Sequence, residues 1–147
     1  YRCELCYAAS PQCRQCVVDS HVHVPFHWIS EWNGRHFVRH ELADLGLIMG
    51  LEHQSHLCTQ KPAGQTATEF MVIDVTGVHR CMLMWCYCGC RPQIEQLMLA
   101  GLFPATVEDP SHISTAFTFH VLRDFHVHSL SSKKSAYDYY DSLSRLT

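Results

Sequence analysis

Four cysteines and two histidines within the first 27 residues stand at the spacing of metal ligands. Cys3-x-x-Cys6 is followed by Cys13-x-x-Cys16, and then by His21 and His27. A C-x-x-C turn aims two sulfurs at one tetrahedral ion, and imidazole nitrogens complete the shell. The segment has no long apolar periodicity, so it is expected to fold as knuckles and loops ordered by zinc.

Nine cysteines in 147 residues also suit a disulfide framework. The odd count, the C-x-x-C and C-x-C spacings and the twelve histidines weigh against it. Residues two or three apart rarely meet the Cα separation that a disulfide wants. Intracellular metal sites fit this composition better.

Four ligands close one zinc, and six do not divide into fours. One arrangement is a single all-thiolate site from Cys3, Cys6, Cys13 and Cys16. The other is a cross-brace, in which Cys3, Cys6, His21 and His27 share one ion while Cys13 and Cys16 await a further pair. The second is preferred, because the run from Cys13 to His27 resembles the end of a B-box or related cross-brace finger. His23 is a substitute for either histidine. The chain opens on Tyr1 and is expected to be a piece of a longer polypeptide.

A second ligand set follows. His53-x4-Cys58 precedes a polar loop over residues 59–68, and Cys86-x-Cys88 closes the set. Alternation over residues 70–75, a Thr76-Gly77 turn and a returning strand over 78–85 predict a hairpin that delivers the C-x-C rigidly. His56 is an alternative to His53, and Cys81 or Cys90 to the last pair. Cys81 lies on the strand and suits a small buried hydrophobe. Both sets look closed, with no H-E-x-x-H and no deaminase H-x-E with P-C-x-x-C, which disfavours a zinc hydrolase.

Elsewhere the sequence predicts a short helix over residues 38–45 stopped by Gly46, and a buried strand over 47–51. A helix is expected from Pro92 to Gly101, then a connector at Phe103-Pro104 that the acidic Glu108-Asp109-Pro110 ends. Another helix is expected after a Ser114 or Thr115 cap, and a last one from Ser131 or Ser132. The expected fold is α+β: an N-terminal zinc finger over residues 1–30, a strand and hairpin region with the second zinc site over 31–92, and a helical region over 93–147. Net charge is −3, with no broad basic footprint. The close basic pairs Arg35 with Arg39 and Lys133 with Lys134 are the candidate nucleic-acid contacts. No apolar run reaches the ~18 residues that suggest a membrane span.

Several of these motifs together resemble the CxC cysteine-cluster domain associated with KDZ transposases of fungal transposon-encoded proteins. They are Tyr1-Arg2-Cys3-x-x-Cys6, Cys13-x-x-Cys16-x4-His21, Pro25-x-His27, Trp32-Asn33-Gly34 and Leu45-Gly46-Leu47. His53-x4-Cys58, Asp74-x-x-Gly77-Val78-His79 and Cys86-x-Cys88 continue the likeness, as do the runs Phe103 to Thr106, Thr115 to Phe119 and Ser132 to Tyr137. The resemblance implies a non-enzymatic zinc-chelating module, with the transposase domain further along a longer chain. It carries the ligand role onto Cys3, Cys6, Cys13, Cys16, His21, His27, His53, Cys58, Cys86 and Cys88. DNA or a chromatin-associated protein is the implied partner, and an intracellular, nuclear location follows. The B-box likeness supports a protein-interaction module instead, with Trp28, Trp32, Tyr137, Tyr139 and Tyr140 as candidate anchors. Cys81 and Cys90 are additional thiols, and His112-Ile113-Ser114 looks like an insertion.

Overall fold

A computed structural model describes residues 1–89, 91–106 and 113–147. Cys90, the acidic stretch Glu108-Asp109-Pro110 and the start of the insertion at His112 lie outside the described residues. The N-terminal part holds β1 (Arg2–Cys3), α1 (Arg14–Ser20), β2 (Ile29–Trp32) and β3 (Phe37–His40). The three strands form one antiparallel sheet in the order β1-β2-β3. Asn33 shapes the β2–β3 turn: its side-chain oxygen accepts from the backbone N–H of Arg35 and of His36, at 2.9 and 3.0 Å. Gly34 supplies the positive φ of 94° that this turn needs.

The helix expected over residues 38–45 does not form. Phe37 to His40 pair with Trp32 to Ile29, and only turns follow up to Gly46. Cross-strand pairing of Phe37 and Val38 outweighs the weaker helical spacing of the same residues.

A five-stranded sheet comes next. It contains β4 (Ile48–Gly50), β5 (Thr68–Asp74), β6 (Gly77–Met84), β7 (Leu102–Pro104) and β8 (Thr115–Thr118), in the order β4-β6-β5-β8-β7. The expected hairpin is its centre, with Asp74 opposite Gly77 at the turn. β4 runs parallel to β6, and β8 parallel to β5. The main core lies on this sheet: Phe70, Val72, Cys81, Leu83 and Trp85 pack with Leu97, Leu102 and Ala116. Leu97 comes from α2 (Gln93–Leu99), which begins directly after Pro92.

Ser114 and Thr115 do not cap a helix. Thr115 opens β8, because Ala116 and Thr118 of this run are buried against the sheet. α3 (Phe119–Ser132) starts instead behind Thr118, whose hydroxyl accepts the N–H of Val121 at 3.0 Å. The last helix, α4 (Ala136–Ser144), is capped by Ser135, which accepts the N–H of Asp138 at 3.1 Å. Ser131 and Ser132 belong to the end of α3, where Lys133 turns left-handed at φ 53°. Ile73, Val121, Tyr139 and Leu143 form the core beneath these two helices.

The strands cross the expected borders: β2 and β3 join residues before and after position 30, and β7 and β8 complete the sheet begun by residues 48–84. The molecule is an α+β fold, with a β-rich N-terminal region that carries the cysteine and histidine clusters and a mainly helical C-terminal region. No helix among the described residues is long and apolar enough to cross a membrane.

A polar seam joins the two sheets. Trp28 donates its indole N–H to the carbonyl of Thr76 at 2.8 Å. The Thr76 hydroxyl lies 2.8 Å from the carbonyl of Phe26, 2.9 Å from Asp74 and 2.8 Å from Nε2 of His79. The His79 ring packs against Trp28 and Phe26, with centroids 4.6 and 5.8 Å away. Thr118 donates to the buried Asp74 carboxylate at 2.7 Å. The buried Trp28 indole, Thr76 hydroxyl, Asp74 carboxylate and Thr118 hydroxyl all have partners, as burial requires.

Candidate metal centres

The first centre is built by the three-stranded sheet and α1. Cys3 ends β1, and the next turn points the backbone N–H groups of Leu5 and Cys6 at its sulfur, at 3.4 and 3.3 Å. α1 brings the chain back so that His21 caps its C-terminal end, and His27 lies just before β2. Cys3 Sγ sits 3.4 Å from His27 Nδ1, and Cys6 Sγ sits 3.4 Å from the same nitrogen and 3.6 Å from His21 Nε2. All four ligand atoms lie within 4.8 Å of one another.

These distances fit zinc. Tetrahedral Zn–S and Zn–N bonds put neighbouring ligand atoms about 3.5–3.8 Å apart. The second ring nitrogens follow the same logic. Nδ1 of His21 lies 2.7 Å from the carbonyl of Val17, which only accepts, so Nδ1 carries the proton. That leaves the lone pair of Nε2 facing Cys6, as in metal sites whose ligand histidine is oriented from behind. Burial, and then His21, hold the His27 ring below its ordinary pKa and so in the neutral, ligating form.

Cys13 and Cys16 are not brought to this cluster. Their sulfurs lie 3.0 Å apart, exposed, with the N–H of Cys16 on Cys13 at 3.3 Å. In both turns the second cysteine's N–H points at the first sulfur, but no histidine among the described residues joins Cys13 and Cys16. His23 lines a separate cavity with Phe26 and Glu52.

The second centre gathers His53, Cys58, Cys86 and Cys88, again within 4.8 Å. Nε2 of His53 lies 3.3 Å from Cys86 Sγ and 3.1 Å from Cys88 Sγ; Cys86 is 3.8 Å from Cys58 and 3.1 Å from Cys88. His53 opens a short 3-10 turn (His53–Ser55) in the left-handed region at φ 55°, and Ser55 follows at 68°. Gly50 lets this loop come close, because a Cβ there would stand 2.3 Å from the carbonyl oxygen of His56. The Cys58 thiol is pulled down to about 6, chiefly by the backbone N–H of Tyr87. Burial, and then Cys88, push Cys86 up. A bound cation reverses that cost by holding thiolates.

One residue that supports this centre escaped the sequence reading. Gln96 is buried on α2 and clamps the C-x-C backbone. Its Oε1 accepts from the N–H of Cys86 at 2.8 Å, and its Nε2 donates to the carbonyls of Cys86 and Arg91, both at 3.0 Å. The signal was a glutamine among the apolar positions Ile94, Leu97 and Met98. Of the alternatives, His56 is exposed and outside the cluster. Cys81 is buried in the sheet core, its thiol pushed up to about 12 by burial.

The basic candidates differ from one another. Arg39 bonds Glu4 at 2.8 Å and the carbonyl of Leu146 at 2.6 Å, and its guanidinium lies over Trp28. Lys134 donates to Ser142 at 2.9 Å and lies over Tyr139, while Lys133 ends α3. Arg35 is exposed at the β2–β3 turn, and its guanidinium makes no ion pair among the described residues. Among the candidate anchors, Trp28 and Tyr139 are buried, whereas Trp32, Tyr137 and Tyr140 are exposed.

A family model described as CxC2 like cysteine cluster associated with KDZ transposases matches residues 42–147. The chain belongs to this family of non-catalytic cysteine-cluster domains. The match contains all four residues of the second centre and begins beyond the first. No curated protein and no solved structure matches the chain.

Proposed function

We propose that the chain is a zinc-folded accessory module that helps a KDZ transposase-type protein engage DNA in the nucleus. The observation that carries the metal part is the convergence of two separate sets of four ligand atoms, each within 4.8 Å. Cys3, Cys6, His21 and His27 hold one ion, and His53, Cys58, Cys86 and Cys88 the other. Zinc in such closed sites supplies folding energy and no chemistry. Cys13 and Cys16 form a third, half-complete pair, which is the arrangement of a cross-brace-like finger.

The DNA part is supported by the association with transposases and by Arg35 at an exposed turn. A net charge of −3 excludes a broad non-specific clamp and favours a small, local contact. A second reading, a protein-docking module, is favoured by the exposure of Tyr137 and Tyr140 on α4.

Metal analysis of the purified chain tests the first part. About two zinc ions per chain are expected, and cobalt in their place should give thiolate-to-metal charge-transfer bands. A chain that stays folded and metal-free in strong chelator overturns it.

A further inference from the structure

The three-stranded sheet has one face whose side chains are ligands of neither metal centre. Side chains alternate along a strand, so Ser30 and Trp32 of β2 share a side. The register places Arg2 and Arg39 across Ser30, and Phe37 across Trp32. That face therefore presents Arg2, Ser30 and Arg39 in one row and the aromatic pair in the next, with Arg35 at the turn beyond.

Apart from each other and Arg2, the aromatic pair has no ring or cation partner among the described residues. Trp32 is 54% exposed and Phe37 51%, with ring centroids 5.1 Å apart at 56°. The guanidinium of Arg2 lies 5.3 Å over the Phe37 ring. An open groove of about 460 Å³ starts at Phe37 and runs past Arg2, Glu4 and Ser30 to Cys3 and Cys6 of the first centre. Glu4 is neutralised there: Arg39 pairs with it at 2.8 Å, and Ser30 donates to its other oxygen. Glu31 is on the opposite side, 3.0 Å from His40. The surface thus offers two half-exposed aromatic rings, the guanidinium groups of Arg2 and Arg35 without ion pairs, and no free carboxylate among the described residues.

We infer that this face binds single-stranded nucleic acid, with bases stacked on Trp32 and Phe37 and phosphates on Arg2 and Arg35. Every base has a π face, and unpaired bases can leave their stack to meet an aromatic ring. A duplex keeps its bases stacked on each other and would leave both rings idle. The inference rests on the nucleic-acid part of the proposed function and narrows it to a strand type and a site. The first metal centre contributes by holding Cys3, and with it Arg2, in register with β2.

The test uses the zinc-loaded chain, a 12-nucleotide oligo-dT, the matching dA–dT duplex and an oligoglutamate peptide, read by tryptophan fluorescence and anisotropy. Oligo-dT should quench tryptophan and bind more tightly than the duplex. Trp32→Ala should weaken binding roughly 10-fold or more, and Trp32→Phe should retain most of it. Arg2→Gln with Arg35→Gln should flatten the salt slope by about 1.4, at about 0.7 per phosphate for single strands. Zinc content should be unchanged in all three variants. Tighter binding of the duplex with no dependence on Trp32 overturns this inference and leaves a DNA role standing. Binding of the peptide alone overturns it in favour of protein docking. A chain without zinc overturns the metal reading, and the same titration still decides this one.

Discussion

The two metal centres share chemistry and differ in what they hold. The first draws its ligands from residues 3 to 27 and serves a segment with a small core of Val17, Ile29, Leu42, Leu45 and Leu47. The second joins a loop at His53 and Cys58 to the end of β6 at Cys86 and Cys88, beside a sheet that already buries Phe70, Val72, Leu83 and Leu97. Two of the first centre's ligands are buried, Cys3 and His21, whereas His53 and Cys88 of the second lie at the surface. Small domains need staples where apolar burial is scarce. With zinc bound as proposed, the first centre is such a staple, and the second pins a loop onto a sheet with a larger apolar core of its own. The family match spans only the second.

The largest effect should come from breaking the first centre. Cys6→Ser should release one zinc and cost several kcal/mol, roughly 3 or more, because the remaining ligands then sit without a cation. Hydrogen exchange should show residues 1–40 opening while β5 and β6 stay protected. Cys88→Ser should also release one zinc, but with increased exchange confined to residues 51–58 and 85–89. Equal loss of protection across both sheets in the two variants would break the contrast drawn here.

A middle-sized effect should come from the seam between the regions. Burial pushes the His79 pKa down to about 4, against the pull of Asp74 and with help from His27 and Arg39. The unfolded chain therefore takes up the proton first as pH falls from about 6.5 towards 4. Stability contributed by neutral His79 is full above about 6.5, declines through that window, and amounts to roughly 3 kcal/mol. Urea midpoints of the wild type and His79→Gln at pH 7 and pH 4.5 check this. Ligand protonation weakens both proteins alike, so the wild type should lose the extra amount.

The smallest effect should follow Cys13→Ser with Cys16→Ser. The two thiols are exposed and separate from both centres, so zinc content should stay the same and stability should move by less than about 0.5 kcal/mol. Loss of an ion from this variant would give the second C-x-x-C turn a metal of its own.

Local features were legible and long-range ones were not. C-x-x-C spacing marked both knuckles, because the turn that aims two sulfurs is only four residues long. Which histidines join Cys3 and Cys6 depends on α1 carrying the chain back, and spacing alone left that open. The hairpin at Thr76-Gly77 was readable from alternation and turn residues. β3 and β8 were not, because their strand character comes from partners distant in the sequence: residues 37–40 pair with β2, and Thr115 pairs with Met71. The start of α4 was misplaced because several serines between positions 129 and 135 offer equivalent caps. The left-handed Lys133 selects Ser135.

The left-handed backbone at His53 has a kinetic consequence. Two non-glycine residues of that kind, His53 and Ser55, cost about 1 kcal/mol or more each, and in the proposed zinc site ligation of the imidazole would hold them in place. Once the nitrogen lets go, the loop relaxes away from the sheet and carries a ligand with it. Ion exchange at the proposed second site is therefore expected to proceed through opening of this loop, on the microsecond-to-second scale of local unfolding. At the proposed first site the left-handed residue is Ala8, not itself a ligand, at φ 53° and two positions beyond Cys6, so an ion there is expected to leave when the N-terminal segment opens.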